Sequence, residues 1–283
     1  MPFAINKGVR VHYEVLGQGH PLFLHVGAGC EWDLWKLAGY VDRLDGYRLI
    51  VIDPRGRGSS DRPDTLPAHR MKNYVQDVIT ILDDLHVSKT AFWGHSDGAR
   101  VGFAFALSHA KRLNALIAAG GQDLPTEYSD RVALAKYAQE NGMDWLNNVI
   151  QNSFGKELPP WYTRQRRARD PAMFRLELLA WRPWISRWDI YPRIKVPTLI
   201  IAGEKEDPSR LGEKIANLIP QGRFVILKGL SHIDEFMRSD LSVPPAKRFL
   251  REFTSRTVVA SNAKTPSNSN LSKGPRKYHS RSL

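Results

Sequence analysis

A single cysteine, Cys30, in 283 residues excludes an internal disulfide framework and suits a reducing compartment. Long apolar runs are missing as well. No stretch approaches the ~20 residues of a membrane-crossing helix, and the opening MPFAINKGVRVHYEV has no apolar segment of the secretory kind. These absences lead to the expectation of a cytoplasmic protein with no membrane partner. Acidic residues are missing from the C-terminal stretch: residues 254–283 carry six Lys and Arg and no Asp or Glu, half of the net charge of +12. That stretch is poor in large apolar residues and is expected to be a disordered basic tail, residues 255–283. With so much of the charge there, nucleic acid is not expected as a partner.

What remains is rich enough to fold alone. Hydrophobic residues make up 42% and aromatic residues 10% of the chain, sufficient for a sizeable core without metal or disulfide. Six short apolar segments recur: PLFLHV (21–26), YRLIVID (47–53), TAFWGH (90–95), NALIAAG (114–120), TLIIAG (198–203) and RFVILKG (223–229). Unbroken apolar runs of this length suit strands buried on both faces. Between two of them, MKNYVQDVITILDDLH places Val75, Val78, Ile79, Leu82 and Leu85 on one helical face. Strand, helix and strand in alternation predict a mostly parallel sheet covered by helices on both sides. At the N-terminus VRVHYEVLG alternates and follows an Asn6-Lys7-Gly8 turn signal, so an antiparallel hairpin is expected at one sheet edge. The strand rhythm stops over residues 123–188, where helical stretches follow one another and five of the eight tryptophans lie: Trp145, Trp161, Trp181, Trp184 and Trp188. The expected organisation is a core in two parts, residues 1–122 and 189–254, with residues 123–188 as an inserted helical cap.

One junction concentrates small residues where a strand meets a helix: Gly94-His95-Ser96-Asp97-Gly98 in TAFWGHSDGARVGFAFAL. A serine on such a turn is held out at the C-terminal edge of the sheet. The glycines let strand and helix approach, and the helix N-terminus offers N–H donors to a developing oxyanion. A serine hydroxyl needs a base and an orienting acid. His232, in KGLSHIDEF after the last strand, is the best-placed base. For the acid, GEKEDPSRLGEK offers Asp207, although an acid before proline is also how an ordinary helix begins. Glu206 beside it and Asp123 after another strand remain alternatives.

On these residues the chain resembles the α/β-hydrolase fold family over about residues 4 to 254. The order Ser96, Asp207, His232 is that family's order. VIDPRGRGSSDRP is similar to its Asp-x-Arg-Gly-x-Gly-x-Ser loop, and LHVGAGCEWDLW to its His-Gly oxyanion loop. The resemblance implies a mostly parallel eight-stranded sheet with a helical cap, and an oxyanion hole formed by the N–H groups of Gly27 and Asp97. Val26 stands where the family has glycine, which leaves Gly27 and Ala28 both open as donor. The acid loop is one residue longer than the common Gly-x-x-Asp form. Relatives that open epoxides or cleave carbon–halogen bonds use a carboxylate nucleophile, whereas serine attacks a carbonyl. A serine hydrolase of a small carboxylic ester or lactone is therefore expected, with no cofactor and no metal. The alternatives are a carbon–carbon bond or amide hydrolase on the same triad, or a small-molecule receptor of the same fold. Hints about the substrate oppose one another: RQRRARD (164–170) would attract an anion, Asp97 would hold a cationic amine, and the tryptophans would line an apolar pocket.

Overall fold

The computed structural model describes residues 2–121, 127–154, 157–181, 188–205 and 210–254. The expected basic tail and the three candidate acids Asp123, Glu206 and Asp207 lie outside the described residues. Eight strands run in chain order: β1 Phe3–Asn6, β2 Val9–Leu16, β3 His20–His25, β4 Tyr47–Ile52, β5 Thr90–His95, β6 Leu113–Ala119, β7 Thr198–Gly203 and β8 Gly222–Leu227. They form one sheet of order β1-β2-β4-β3-β5-β6-β7-β8. The β1–β2 and β2–β4 pairs are antiparallel, and every other pair is parallel. The hairpin at the edge turns through Lys7 and Gly8, both at positive φ.

The α-helices among the described residues are α1 Leu34–Leu37, α2 Tyr40–Arg43, α3 Met71–Asp84, α4 Asp97–Ser108, α5 Glu127–Phe154, α6 Pro160–Arg167, α7 Pro171–Ala180, α8 Leu211–Leu218, α9 His232–Met237 and α10 Ser239–Thr254. Alternation along the parallel strands sends Phe23, Ile50, Phe92, Leu116 and Ile200 to one face, where α3, α4 and α8 cover them. It sends Leu22, Leu24, Val51, Trp93, Ile117 and Ile201 to the other, against α1, α2, α9 and α10. Both faces are buried, which is why these strands read as unbroken apolar runs. Between β6 and β7 every described regular element is helical; α5 breaks direction at Gly142 (φ 73°). Helices α5 and α7 share a small apolar cluster of their own (Ala135, Ala138, Met143, Phe174, Leu178), and Ala28 of the core packs against it.

A buried ion pair ties this architecture together at the edge of the sheet. Arg55, in the loop after β4, donates from Nε and Nη2 to the Asp77 carboxylate of α3 at 2.8 and 2.5 Å. Asn6 of β1 donates to the same carboxylate at 2.7 Å. Burial raises the Asp77 carboxyl above its ordinary range, against the opposing pull of Arg55 and Asn6. Removing one member of such a pair strands a buried charge, which costs about 3–5 kcal/mol. Arg55→Leu should therefore lower the urea midpoint by an amount equivalent to about 3–5 kcal/mol, and Arg55→Leu with Asp77→Leu should restore most of it. A single-variant loss within measurement error would contradict this role.

Candidate active site

Strand β5 ends at His95 and helix α4 begins at Asp97, so the whole change of direction falls on Ser96. Its backbone is held at φ 56°, ψ −121°, a conformation that costs a non-glycine residue about 1–3 kcal/mol and persists only where its surroundings impose it. Ser96 N–H donates to Ala119 O of β6 at 2.8 Å, and Ser96 O accepts from Ala99 N–H at 2.9 Å. The flanking glycines are required sterically. A Cβ on Gly94 would overlap the backbone of Gly98, and one on Gly98 would overlap the carbonyls of His25 and Val26. Ser96 itself is partly exposed while its neighbours on both sides are buried, so the turn presents one hydroxyl-bearing residue to solvent.

Three polar side chains gather behind it. His232 is the first residue of α9, whose N-terminus is closed by a capping box between Ser231 and Asp234. Its ring faces Gly120, the residue after β6: a Cβ on Gly120 would stand 2.8 Å from both Cε1 and Nδ1 of His232 and 3.1 Å from His95 Nε2. The His95 and His232 rings lie 4.8 Å apart. His95, preceding the serine, turns away from the solvent side, and its Nε2 lies 3.1 Å from Oε2 of Glu235, a carboxylate with no exposed surface. Glu235 was not among the residues singled out in the sequence. The available signal was the Ser231/Asp234 capping pattern, which starts a helix at His232 and puts Glu235 three residues on, over the same face.

The other side of Ser96 is formed by the turn after β3. Gly27 packs directly on the serine: a Cβ there would be 2.9 Å from Ser96 Cβ and 3.5 Å from Oγ. The carbonyl of Gly27 accepts from Cys30 N–H at 3.2 Å and from Arg57 Nη1 at 2.5 Å; Arg57 Nη1 also donates to Cys30 O at 3.2 Å. Arg57 is buried and pairs with the equally buried Glu177 of α7; burial lowers its pKa. His25 lies beneath with Nδ1 3.0 Å from Val26 O, and full burial lowers its pKa to about 3. Two hints from the sequence are corrected here. Asp97 is buried and its carboxylate pairs with Arg100, three residues along α4, so it does not face a ligand amine. Trp181 is a core residue, its Nε1 donating to His69 O at 3.0 Å and its ring edge-on to Tyr74. Trp161 and Trp188 pack against the two main apolar clusters. Trp184 and the side chain of Trp145 lie outside the described residues.

The stretch that holds Glu206 and Asp207 begins beside His232. Lys205 N–H donates to Leu230 O at 2.9 Å, and Gly203, the last residue of β7, lies against the backbone of Leu230 and Ser231. Asp123 follows β6, whose end also borders His232. Among the described residues no group of three or more His, Cys, Asp or Glu is placed to hold a metal ion, and no helix is long and apolar enough to cross a membrane.

Comparison with known proteins joins these observations. The model of the alpha/beta hydrolase family matches residues 22–241. Epoxide hydrolase 3 of Xenopus tropicalis is 32% identical over 115 residues, 40% of this chain and 31% of that protein. Bifunctional epoxide hydrolase 2 of Sus scrofa is 26% identical over 122 residues, 43% of this chain and 22% of that protein. The matched part thus spans less than a third of either relative. Among solved structures, the enol-lactonase from Burkholderia xenovorans LB400 superposes with a TM-score of 0.76 at 25% identity, covering 88% of this chain and 99% of that one. With the family model matched across most of its length, and an eight-stranded sheet carrying a strained serine between β5 and α4, the chain belongs to the alpha/beta hydrolase family.

Proposed function

We propose that this protein is a serine hydrolase that cleaves a small carboxylic ester or lactone through an acyl-enzyme. The observation that carries the reading is the identity and strain of one residue: a serine, not a carboxylate, occupies the φ 56° turn between β5 and α4. Epoxide opening, which the names of two relatives state, calls for a carboxylate at that position. The enol-lactonase neighbour acts on the bond type that a serine nucleophile serves.

In this mechanism Ser96 Oγ attacks the carbonyl carbon while His232 takes its proton. The tetrahedral oxyanion is stabilised by the N–H groups of Gly27 and Asp97, the second at the N-terminus of α4; each such donor contributes about 2.7–4 kcal/mol to the transition state. His232 returns the proton to the leaving alkoxide, the acyl group remains on Ser96, and water activated by the same imidazole releases the acid. Asp207 is assigned as the acid that orients His232, supported by the approach of the segment after β7 to the His232 turn. The partner is a small-molecule substrate, and the reaction needs neither cofactor nor metal.

A fluorophosphonate should label one residue of the full chain, and peptide mapping should place it at Ser96. Ser96→Ala should lose both the label and methyl ester turnover. Labelling elsewhere, or turnover retained in Ser96→Ala, would refute the assignment.

The base must be neutral to accept the serine proton, so kcat/KM should fall as pH drops through the range in which an imidazole titrates. His25, whose pKa is lowered to about 3 by burial, stays neutral throughout that range and adds no second step. A flat profile between pH 5 and 8 would exclude His232 as base.

Asp207→Asn, Glu206→Gln and Asp123→Asn, compared on one ester, identify the acid. The amide in the true position supplies the wrong imidazole tautomer and costs about 10⁴ in turnover, whereas at a helix cap asparagine is nearly neutral. Crippling confined to Glu206→Gln or Asp123→Asn would transfer the role from Asp207.

A further inference from the structure

A Cβ at position 27 would meet Ser96, so the turn after β3 passes the serine on a glycine. Glycine is also the residue whose backbone is least restrained by itself. An N–H donor carried there keeps its aim only if the peptide planes on both sides are fixed from outside, and both are. Before Gly27, His25 Nδ1–H donates to the Val26 carbonyl at 3.0 Å. After it, Arg57 Nη1 donates to the Gly27 carbonyl at 2.5 Å and to Cys30 O at 3.2 Å. The guanidinium thus bridges the two ends of the turn that Cys30 N–H closes onto Gly27 O. Because each peptide is planar and trans, a carbonyl fixed at one end fixes the N–H at the other. The Val26 contact thereby aims Gly27 N–H, and the Arg57 contact aims Ala28 N–H and sets the second torsion of Gly27.

Arg57 takes its position from the helical segment. Its side chain is buried, where an unpaired charge is costly, and its Nη2 is paired with the Glu177 carboxylate of α7, which is also buried. Two residues earlier in the same loop, Arg55 is buried as well, but its hydrogen bonds go to Asp77 and to Ala68 O. We propose that Arg57, aimed by Glu177, is a positioning residue for the oxyanion hole, acting on neither substrate nor reacting atoms but by holding the Gly27 turn against Ser96. The inference rests on the acyl-enzyme reading above. It adds that α7 takes part in oxyanion stabilisation through one guanidinium.

Such a contact suits aiming better than it suits stabilising. A buried ion pair adds little net stability compared with apolar residues of similar volume, so leucine at both positions would cost the fold little. Leucine cannot supply a charge-assisted donor to a carbonyl, a stronger bond than the Cys30 N–H contact that would remain. The Gly27 turn would then keep its place in the fold, while its peptide planes regain the freedom that glycine allows. An N–H that must point at the carbonyl oxygen as it becomes negative would lose part of the about 10²–10³ in rate that one donor contributes. Substrate in its ground state does not use that alignment, so the loss falls on kcat and leaves KM.

Two double variants of the full chain test this: Arg57→Leu with Glu177→Leu, and Arg55→Leu with Asp77→Leu. Each is followed by its urea midpoint, by kcat and KM for methyl butanoate on a pH-stat, and by the rate of fluorophosphonate labelling at Ser96, whose phosphonyl oxygen enters the same hole. The Arg57/Glu177 variant should keep a midpoint near the parent's, yet show kcat and labelling rate lowered by about tenfold to a hundredfold, with KM near the parent's. The Arg55/Asp77 variant removes a buried pair from the same loop and should keep both parental rates. Arg57→Met with Glu177→Met, whose flexible side chains fill irregular space, serves the same test if the leucine pair does not pack. Parental rates in the Arg57/Glu177 variant, a loss confined to KM, or an equal loss in the Arg55/Asp77 variant overturns the positioning role and leaves the esterase reading standing. Failure of both apolar pairs to fold makes Arg57 a residue of the fold alone and overturns the role as well. No label on Ser96 and no turnover in the parent overturns both readings.

Discussion

Everything in the site depends on three backbones meeting where only glycine fits. The β5–α4 turn can be this sharp because Gly94 and Gly98 let strand, helix and the end of β3 approach to distances that any Cβ would prohibit. The strain at Ser96 is imposed from outside, by the hydrogen bond from its N–H to Ala119 on the neighbouring strand and by the helix that starts at once behind it. A flexible loop would relax such a backbone. A turn clamped between two central parallel strands cannot, and the hydroxyl-bearing residue is therefore held in place before any substrate arrives. The same closeness brings Gly27 against Ser96 on one side and Gly120 against His232 on the other. Ser96, His232 and the Gly27 turn are thus positioned by one packing constraint.

Around that apolar and backbone framework lie buried charges of a different kind. Arg55–Asp77, Arg57–Glu177, Asp97–Arg100 and His95–Glu235 are all pairs in which both members are largely removed from water. Such pairs add little net stability compared with well-packed apolar residues. What they do is fix geometry, since a buried charge tolerates only the arrangement that satisfies it. Three of the four border the serine. Asp97–Arg100 lies in the first turn of the helix behind it, His95–Glu235 stands beside His232, and Arg57–Glu177 fastens the turn after β3 to α7. That last pair crosses from the core to the helical segment between β6 and β7, so α7 is held by the same guanidinium that holds the Gly27 carbonyl.

The frame was legible because its signals are local. Parallel strands buried on both faces leave runs such as TLIIAG, a hairpin edge leaves alternation and an Asn-Lys-Gly turn, and a glycine-flanked serine at a strand end marks the sharp turn. The partners of buried charges leave no such trace. Arg57 and Glu177 are 120 positions apart, and nothing in GRGSS or RLELLA says that they meet. Asp97 differs in having its partner only three residues away, yet SDGAR does not show that both Asp97 and Arg100 are buried and paired. Tryptophan number likewise said nothing about direction, and Trp181, fully buried with its Nε1 bonded to His69 O, belongs to the core.

The layout also joins the tight turn to the helical segment between β6 and β7. Ser96, Gly27 and His232 sit just past the ends of strands β5 and β3 or on the α9 start, where a methyl group added at Gly94 or Gly98 would collide with backbone and one added at Gly27 or Gly120 with Ser96 or His232. Arg169, by contrast, lies in the connection between α6 and α7, elements that meet the core through Trp161, Ala28, Gly29, Cys30 and Glu177. Its guanidinium lies over the Gly29 turn and against Cys30, whose N–H the Gly27 carbonyl accepts, so position 169 bears on the turn that packs against Ser96. The helical segment and the strained turn therefore meet over the backbone between Gly27 and Cys30, while the glycines set how tight the turn itself can be.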